Sequence, residues 1–173
     1  MPKLIKLTED GAAWADDPFV LIADEDDIPA QGDVIVTLQR FVAEGETLTA
    51  GRRVGVLIQP DQSVEDLAYD LPRITAVVLA FPKYRDGRAY SSARLLRDRY
   101  CYGGQIRAVG DVLQEQALHM VRCGFDAFEP ADGADPQAWV RAAHRYRHVY
   151  QRAADERSAA FEERIAQEQV QGG

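Results

Sequence analysis

The sequence predicts an α/β fold: a five-stranded, mostly parallel sheet of βα units, preceded by an N-terminal β-hairpin and followed by a C-terminal helical tail. Three observations point there. Short β-branched or apolar runs recur at 34–37, 54–58, 74–81, 106–109 and 125–128. Each is followed by a stretch with helical spacing or a helix-start signal. The length of 173 residues suits one core, and charged residues stand at an ordinary 28%. Alternating strands and helices imply parallel strands joined by right-handed crossovers. An open doubly wound sheet and a partial TIM-like barrel both fit. Five units are too few for a full eight-stranded barrel.

The elements follow in order. KLIKLT at 3–8 and FVLIA at 19–23 read as two strands of a hairpin, with EDGAAWADDP between them carrying a D-G turn signal and a proline stop. DEDDIPAQGD at 24–33 reads as an acidic linker. VIVT, VGVLI and the nearly all-apolar ITAVVLAF then read as strands, the last buried on both faces. Ser63 opens S-V-E-D before Leu67 and Leu71, close to a capping box. Asp111 is placed to cap a helix whose stripe runs Leu113, Ala117, Met120, Val121, ending in a C-cap glycine at Gly124. Asp135-Pro136 is an N-cap followed by proline at the first helical position. That helix is expected to run through Trp139, Ala143, Tyr146 and Tyr150. The organisation expected is a hairpin and acidic linker over 1–33, one α/β domain over 34–150, and a polar, partly frayed helical tail over 151–173.

Charge excludes some functions and localises others. The chain carries 20 Lys+Arg against 28 Asp+Glu, a net −8, which argues against nucleic acid and anionic membranes as partners. It has no apolar run long enough to span a bilayer, and its first residues lack the apolar core of a secretory signal, so a cytoplasmic protein is expected. The acidity is uneven. Residues 1–33 hold nine acids and two bases, whereas residues 83–107 hold seven bases and two acids. Arginine outnumbers lysine 17 to 3, and its planar fork grips oxyanions in bidentate fashion.

Ligands in parallel α/β folds meet the loops at the C-terminal strand ends. One such loop stands out: PKYRDGRAYS at 82–91, longer than the usual two to six residues or so. It carries Lys83, Arg88 and Tyr90 and leads into a helix that Ser91 or Ser92 could cap. Backbone amides at that helix start, beside Lys83 and Arg88, would form an oxyanion pocket. Arg94 and Arg97 share a helix face at i, i+3. Asp111 ends the fourth strand and could orient the cations as well as cap a helix. Tyr90 is a candidate to give or take a proton, and Glu129, at the end of the fifth strand, is a candidate acid or base. Cys101 and Cys123 have no C-x-x-C spacing, and Cys123 reads as a buried packing residue. His144 and His148 stand at i, i+4 without a third metal ligand, and His119 reads as a polar-face residue. No metal site is expected. No dinucleotide fingerprint, Walker A loop or G-x-S-x-G elbow is present.

Two segments, FPKYRDGRAYSSARLLRDRY and GQIRAVGDVLQEQALHMVRCGFDAFEP, resemble a bacterial family catalogued as domain of unknown function 934. The resemblance covers most of residues 3–150. It implies a gene encoded beside sulfite reductase and a role as an oxidoreductase of sulfite reduction. It carries over no catalytic residues. The matched positions most suggestive of function are Lys83, Asp86, Arg88, Tyr90, Ser91, Arg94, Arg97, Arg107, Asp111, Arg122 and Cys123.

The first expectation is therefore an accessory protein or oxidoreductase of assimilatory sulfite reduction. In it, Lys83, Tyr90 and Asp111 do the chemistry, and Lys83, Arg88, Ser91, Arg94, Arg97 and Arg107 hold an anion such as sulfite or a partner such as sulfite reductase. The cofactor stays unspecified, because no flavin, nicotinamide or iron–sulfur motif is recognisable. The second is a non-catalytic adaptor that docks on sulfite reductase or another acidic partner through the Arg94/Arg97 face. A third, resting on fold analogy alone, is an enzyme acting on a small phosphorylated metabolite.

Overall fold

The β-branched runs assemble into a single eight-stranded sheet in the computed structural model, which describes residues 3–8, 11–130, 134–155 and 157–171. The strands are β1 (Lys3–Thr8), β2 (Gly11–Asp16), β3 (Phe19–Leu21), β4 (Asp33–Thr37), β5 (Val54–Ile58), β6 (Ala76–Phe81), β7 (Gln105–Gly110) and β8 (Ala127–Phe128). The helices are α1 (Leu38–Thr49), α2 (Arg88–Asp98), α3 (Ala117–Cys123), α4 (Pro136–Ala143) and α5 (Ala160–Gln171). The order across the sheet is β2-β1-β8-β7-β6-β5-β4-β3. β3 to β8 run parallel, and β1 is antiparallel to both β2 and β8.

That order decides between the two architectures. From β4 to β8 each strand is laid beside the one before it, with no reversal of direction. Right-handed crossovers that always step the same way leave every helix on the same face. Accordingly, buried residues of α1, α2, α3 and α4 (Phe41, Leu96, Met120 and Trp139 among them) join one cluster with Val36, Val56, Leu79 and Ile106 of the sheet. The opposite face carries its own small cluster of Phe19, Ile35, Ala76 and Val78, with Leu57 and Val109 against it. The sheet is thus a half-barrel with helices outside. The open doubly wound alternative is excluded, and with it a crevice at a topological switch point.

The sheet is also larger than expected. Gly11–Asp16 is a strand and not the hairpin loop; it pairs along the whole of β1, from Lys3↔Asp16 to Thr8↔Gly11. The D-G turn falls partly outside the described residues. FVL at 19–21 is not the hairpin partner of β1 but lies beside β4, on the opposite edge. Only Asp17 and Pro18 separate β2 from β3 in sequence. Three peptide steps span at most about 11 Å, so the two edges of the sheet must curl towards each other at this corner. The segment expected as a separate hairpin is therefore continuous with the βα units.

Other boundaries shift for local reasons. Two 3-10 turns, Val64–Leu67 and Leu71–Arg73, replace the α-helix expected after Ser63. Ser63 still caps the first, and Pro72 removes a backbone donor in the second. α4 starts as expected, with the Asp135 side chain accepting from the Gln137 amide, but ends at Ala143. His144 and His148 consequently do not share a helix. His144 Nδ1 lies 3.1 Å from the Val140 carbonyl, and His148 pairs with Glu163 of α5 at 2.5 Å. Gly124 closes α3 in the left-handed conformation, φ 105°. Among the described residues no helix is long and apolar enough to cross a membrane.

Candidate functional site

The loop after β6 is short on freedom. Asp111 does not cap a helix; Leu113 occupies the N-cap of the turn that leads into α3. Its carboxylate instead accepts from the Tyr84 amide at 2.9 Å. The Gln116 side chain donates to the Tyr84 carbonyl at 3.0 Å, and the Asp111 amide donates to the Phe81 carbonyl at 2.7 Å. A turn is closed by the Asp86 amide on the Lys83 carbonyl, 2.9 Å. Asp86 then takes Arg88 in a fork, at 3.0 and 2.6 Å, and also accepts from the Arg88 amide. That pairing pulls the Asp86 carboxyl down to about 2. Neither Ser91 nor Ser92 caps α2, because the helix begins three and four residues earlier, at Arg88 behind Gly87.

The fixed turn exposes Lys83, Tyr84 and Arg85. Arg85 stacks on the Tyr84 ring, 5.2 Å to its centroid, and donates to its hydroxyl at 2.7 Å. Asp111 thus holds backbone and does not contact the cations it was expected to orient.

The remaining bases of 83–107 are placed apart from one another. Arg107 points into the concave side of the half-barrel, 1% exposed, where it forks onto Asp17 at 2.5 and 2.8 Å. Arg97 is folded against its own chain, donating to the carbonyls of Tyr102, Gly104 and Gly124 and to Asp126. These two cannot face an external anion, since their donors are already satisfied internally. Arg94 and Arg97 do not form one binding face: Arg94 lies outside, paired with Asp98 at 2.7 Å. Arg99 reaches Glu65 at 3.0 Å. Lys83 and Arg85 alone of the seven take part in no ion pair among the described residues.

A second feature lies on the helical layer. Between α2 and α3 runs an open groove of about 510 Å³, lined by Tyr90, Ser91, Arg94, Leu95, Asp98, Arg99, His119 and Cys123. The His119 ring packs on Tyr90 at 4.5 Å between centroids, and its Nε2 lies 3.9 Å from the Cys123 sulfur. Burial pushes the Tyr90 hydroxyl up to about 12, with the nearby Cys123 adding to the shift. Tyr90 is therefore harder to ionise than a free phenol and suited to donating a hydrogen bond. Burial also raises the Cys123 thiol, against the pull of Arg94 and Arg122. The residue-by-residue reading of the sequence missed this grouping. Its legible part was the i, i+4 spacing of His119 and Cys123, which sets two side chains on one helix face. Tyr90 and Arg94 come from a different helix. Among the described residues no three His, Cys, Asp or Glu side chains gather as a metal site.

No curated protein matches this chain. A family model described as "Bacterial protein of unknown function (DUF934)" matches residues 55–161. That span runs from β5 into the start of α5 and includes both the 82–87 loop and the groove. More than half of the chain is covered, and the protein belongs to the DUF934 family.

Proposed function

We propose that the protein is an accessory factor of assimilatory sulfite reduction that docks an anionic surface, that of sulfite reductase, through its fixed basic turn at 83–85. The pathway comes from the family resemblance. The docking mode rests on one observation: Asp111 and Gln116 clamp the backbone of Tyr84, so that Lys83 and Arg85 are held out to solvent. A loop already ordered in the free protein loses little entropy on binding. Two exposed cations on such a turn suit recognition of a charged surface, where they act mainly on encounter rate and orientation. Of the cations expected to enclose a small anion, Arg97 and Arg107 are spent inside the molecule.

The test is complementation of a strain lacking this chain. The deletion is expected to grow on sulfide but poorly on sulfate and sulfite. The native chain should restore growth and co-purify with sulfite reductase. The double variant Lys83→Glu, Arg85→Glu should fold normally yet lose both. Full rescue and undiminished co-purification by that variant would overturn the docking reading. Unimpaired growth of the deletion on sulfite would overturn the pathway.

A further inference from the structure

Cys123 is the more deeply placed of the two cysteines; it is 8% exposed and lines the groove, whereas Cys101 is exposed and lies outside it. A structural cysteine packed in a core needs neither a polar neighbour nor an open wall. Cys123 has both. One helical turn away, His119 presents Nε2 at 3.9 Å from its sulfur, and the Tyr90 ring holds the imidazole from the opposite helix. The groove volume falls within the ~300–1,000 Å³ common for small-molecule sites.

The charges around it are mixed but weighted to one side. From α2, Arg94 lines the groove with Asp98 as its exposed partner, and Arg99 lies just beyond the helix end. From α3, Arg122 stands next to Cys123, engaged with Asp155 and the Gln151 carbonyl. Of the charged residues that line the groove, Arg94 and Arg99 are basic and Asp98 is acidic; Arg99 is paired with Glu65 and Arg122 with Asp155, both acids outside the lining. An exposed i, i+4 pair such as Arg94–Asp98 contributes little to stability, so Arg94 can turn to an incoming anion at small cost.

We propose that this groove is a thiol-exchange site, in which Cys123 attacks the S–S bond of a small compound whose anionic group is held by Arg94. The Cys123 proton passes to His119 Nε2, in the tautomer that carries its hydrogen on Nδ1. A new bond forms between Cys123 Sγ and the near sulfur of the ligand. The ligand's own S–S bond breaks, and the far sulfur leaves with the electron pair as a thiolate or sulfinate. Oxidation of Cys123 is matched by reduction of the ligand, so no further oxidant is needed. Burial keeps the resting sulfur as a thiol, which makes it slow toward reagents that do not bind in the groove. The site is separate from the docking turn, and its test uses the isolated protein.

The test uses two methanethiosulfonate reagents of similar size, one with a sulfonate tail and one with a trimethylammonium tail. They are applied to full-length Cys101→Ser, with intact mass followed over time and the labelled peptide identified. Near pH 7 the anionic reagent should label Cys123 about tenfold faster, the scale of local electrostatic steering. Arg94→Gln should erase that preference, and Asp98→Asn should enlarge it. His119→Gln should slow labelling near neutrality, and raising the pH should narrow the gap to the parent, because hydroxide from solvent then replaces the internal acceptor. Circular dichroism checks that each variant is folded. Labelling of Cys123 only after denaturation, equal rates for the two reagents, or a preference unchanged in Arg94→Gln would each overturn the proposal.

Discussion

Arg107 on β7 and Asp17 in the two-residue corner between β2 and β3 form a doubly hydrogen-bonded ion pair, 1% and 3% exposed, across 90 residues of sequence. Phe19 lies under the guanidinium, 5.6 Å from its ring centroid. The pair ties the corner where the sheet edges curl together to a central strand of the half-barrel.

Removing one partner leaves the other charged and buried. Arg107→Leu or Asp17→Leu is expected to lower stability by about 3–5 kcal/mol. The double apolar replacement should recover much of that loss, because no bare charge remains. Guanidinium denaturation of the three variants checks this. A single variant within 1 kcal/mol or so of the native protein would show that the pair contributes little.

Gly110 joins β7 to the turn that places Asp111. Its φ is +97°, and a Cβ there would lie 2.4 Å from the Phe81 carbonyl oxygen. Gly110→Ala should destabilise by more than about 2 kcal/mol, from left-handed strain and backbone clash together. Gly32, at φ +100° with open space around it, meets only the first cost; Gly32→Ala should lose about 1–2 kcal/mol. Thermal unfolding of the two variants side by side separates the terms.

Asp111→Ala should free the 82–87 turn without unfolding the domain. The Tyr84 amide loses its acceptor at 2.9 Å. A bond to a charged acceptor contributes about 1.5–3 kcal/mol, so exchange of that amide should quicken by tenfold or more, while the amides of β6 keep their protection. Hydrogen exchange read by NMR makes the comparison.

Asp86 offers a titration. Its pairing with Arg88 lowers its carboxyl from 3.8 to about 2. A depressed carboxylate contributes stability that is present above its unfolded value and lost as pH falls through the folded one. The Arg88 fork should therefore persist at pH 4 and open near pH 2. The side-chain carbonyl resonance of Asp86 should show its midpoint there, and Arg88→Ala should return the midpoint toward 3.8.

Much of the local structure was legible residue by residue. Gly124 and Asp135-Pro136 marked helix ends through backbone chemistry that acts within one turn. The five β-branched runs became five parallel strands for the same local reason. Gly11–Asp16 escaped notice because GAAWAD has little β-branched content; only pairing with β1 makes it a strand. Ser91 is a groove residue rather than a cap because α2 starts earlier, behind Gly87.

The basic segment shows the division most clearly. Composition alone established that 83–107 is rich in cations, and the i, i+4 spacing alone put His119 and Cys123 on one face of α3. Which cations face solvent was decided by the tertiary structure, because a buried guanidinium must find a partner wherever the chain brings one. Arg107 found Asp17 and Arg97 found Asp126. The same holds for the face the helices cover. Periodicity set the elements, but the unbroken direction of the crossovers from β4 to β8 curled the sheet, left Lys83 and Arg85 outside, and set Tyr90 and Arg94 against the thiol.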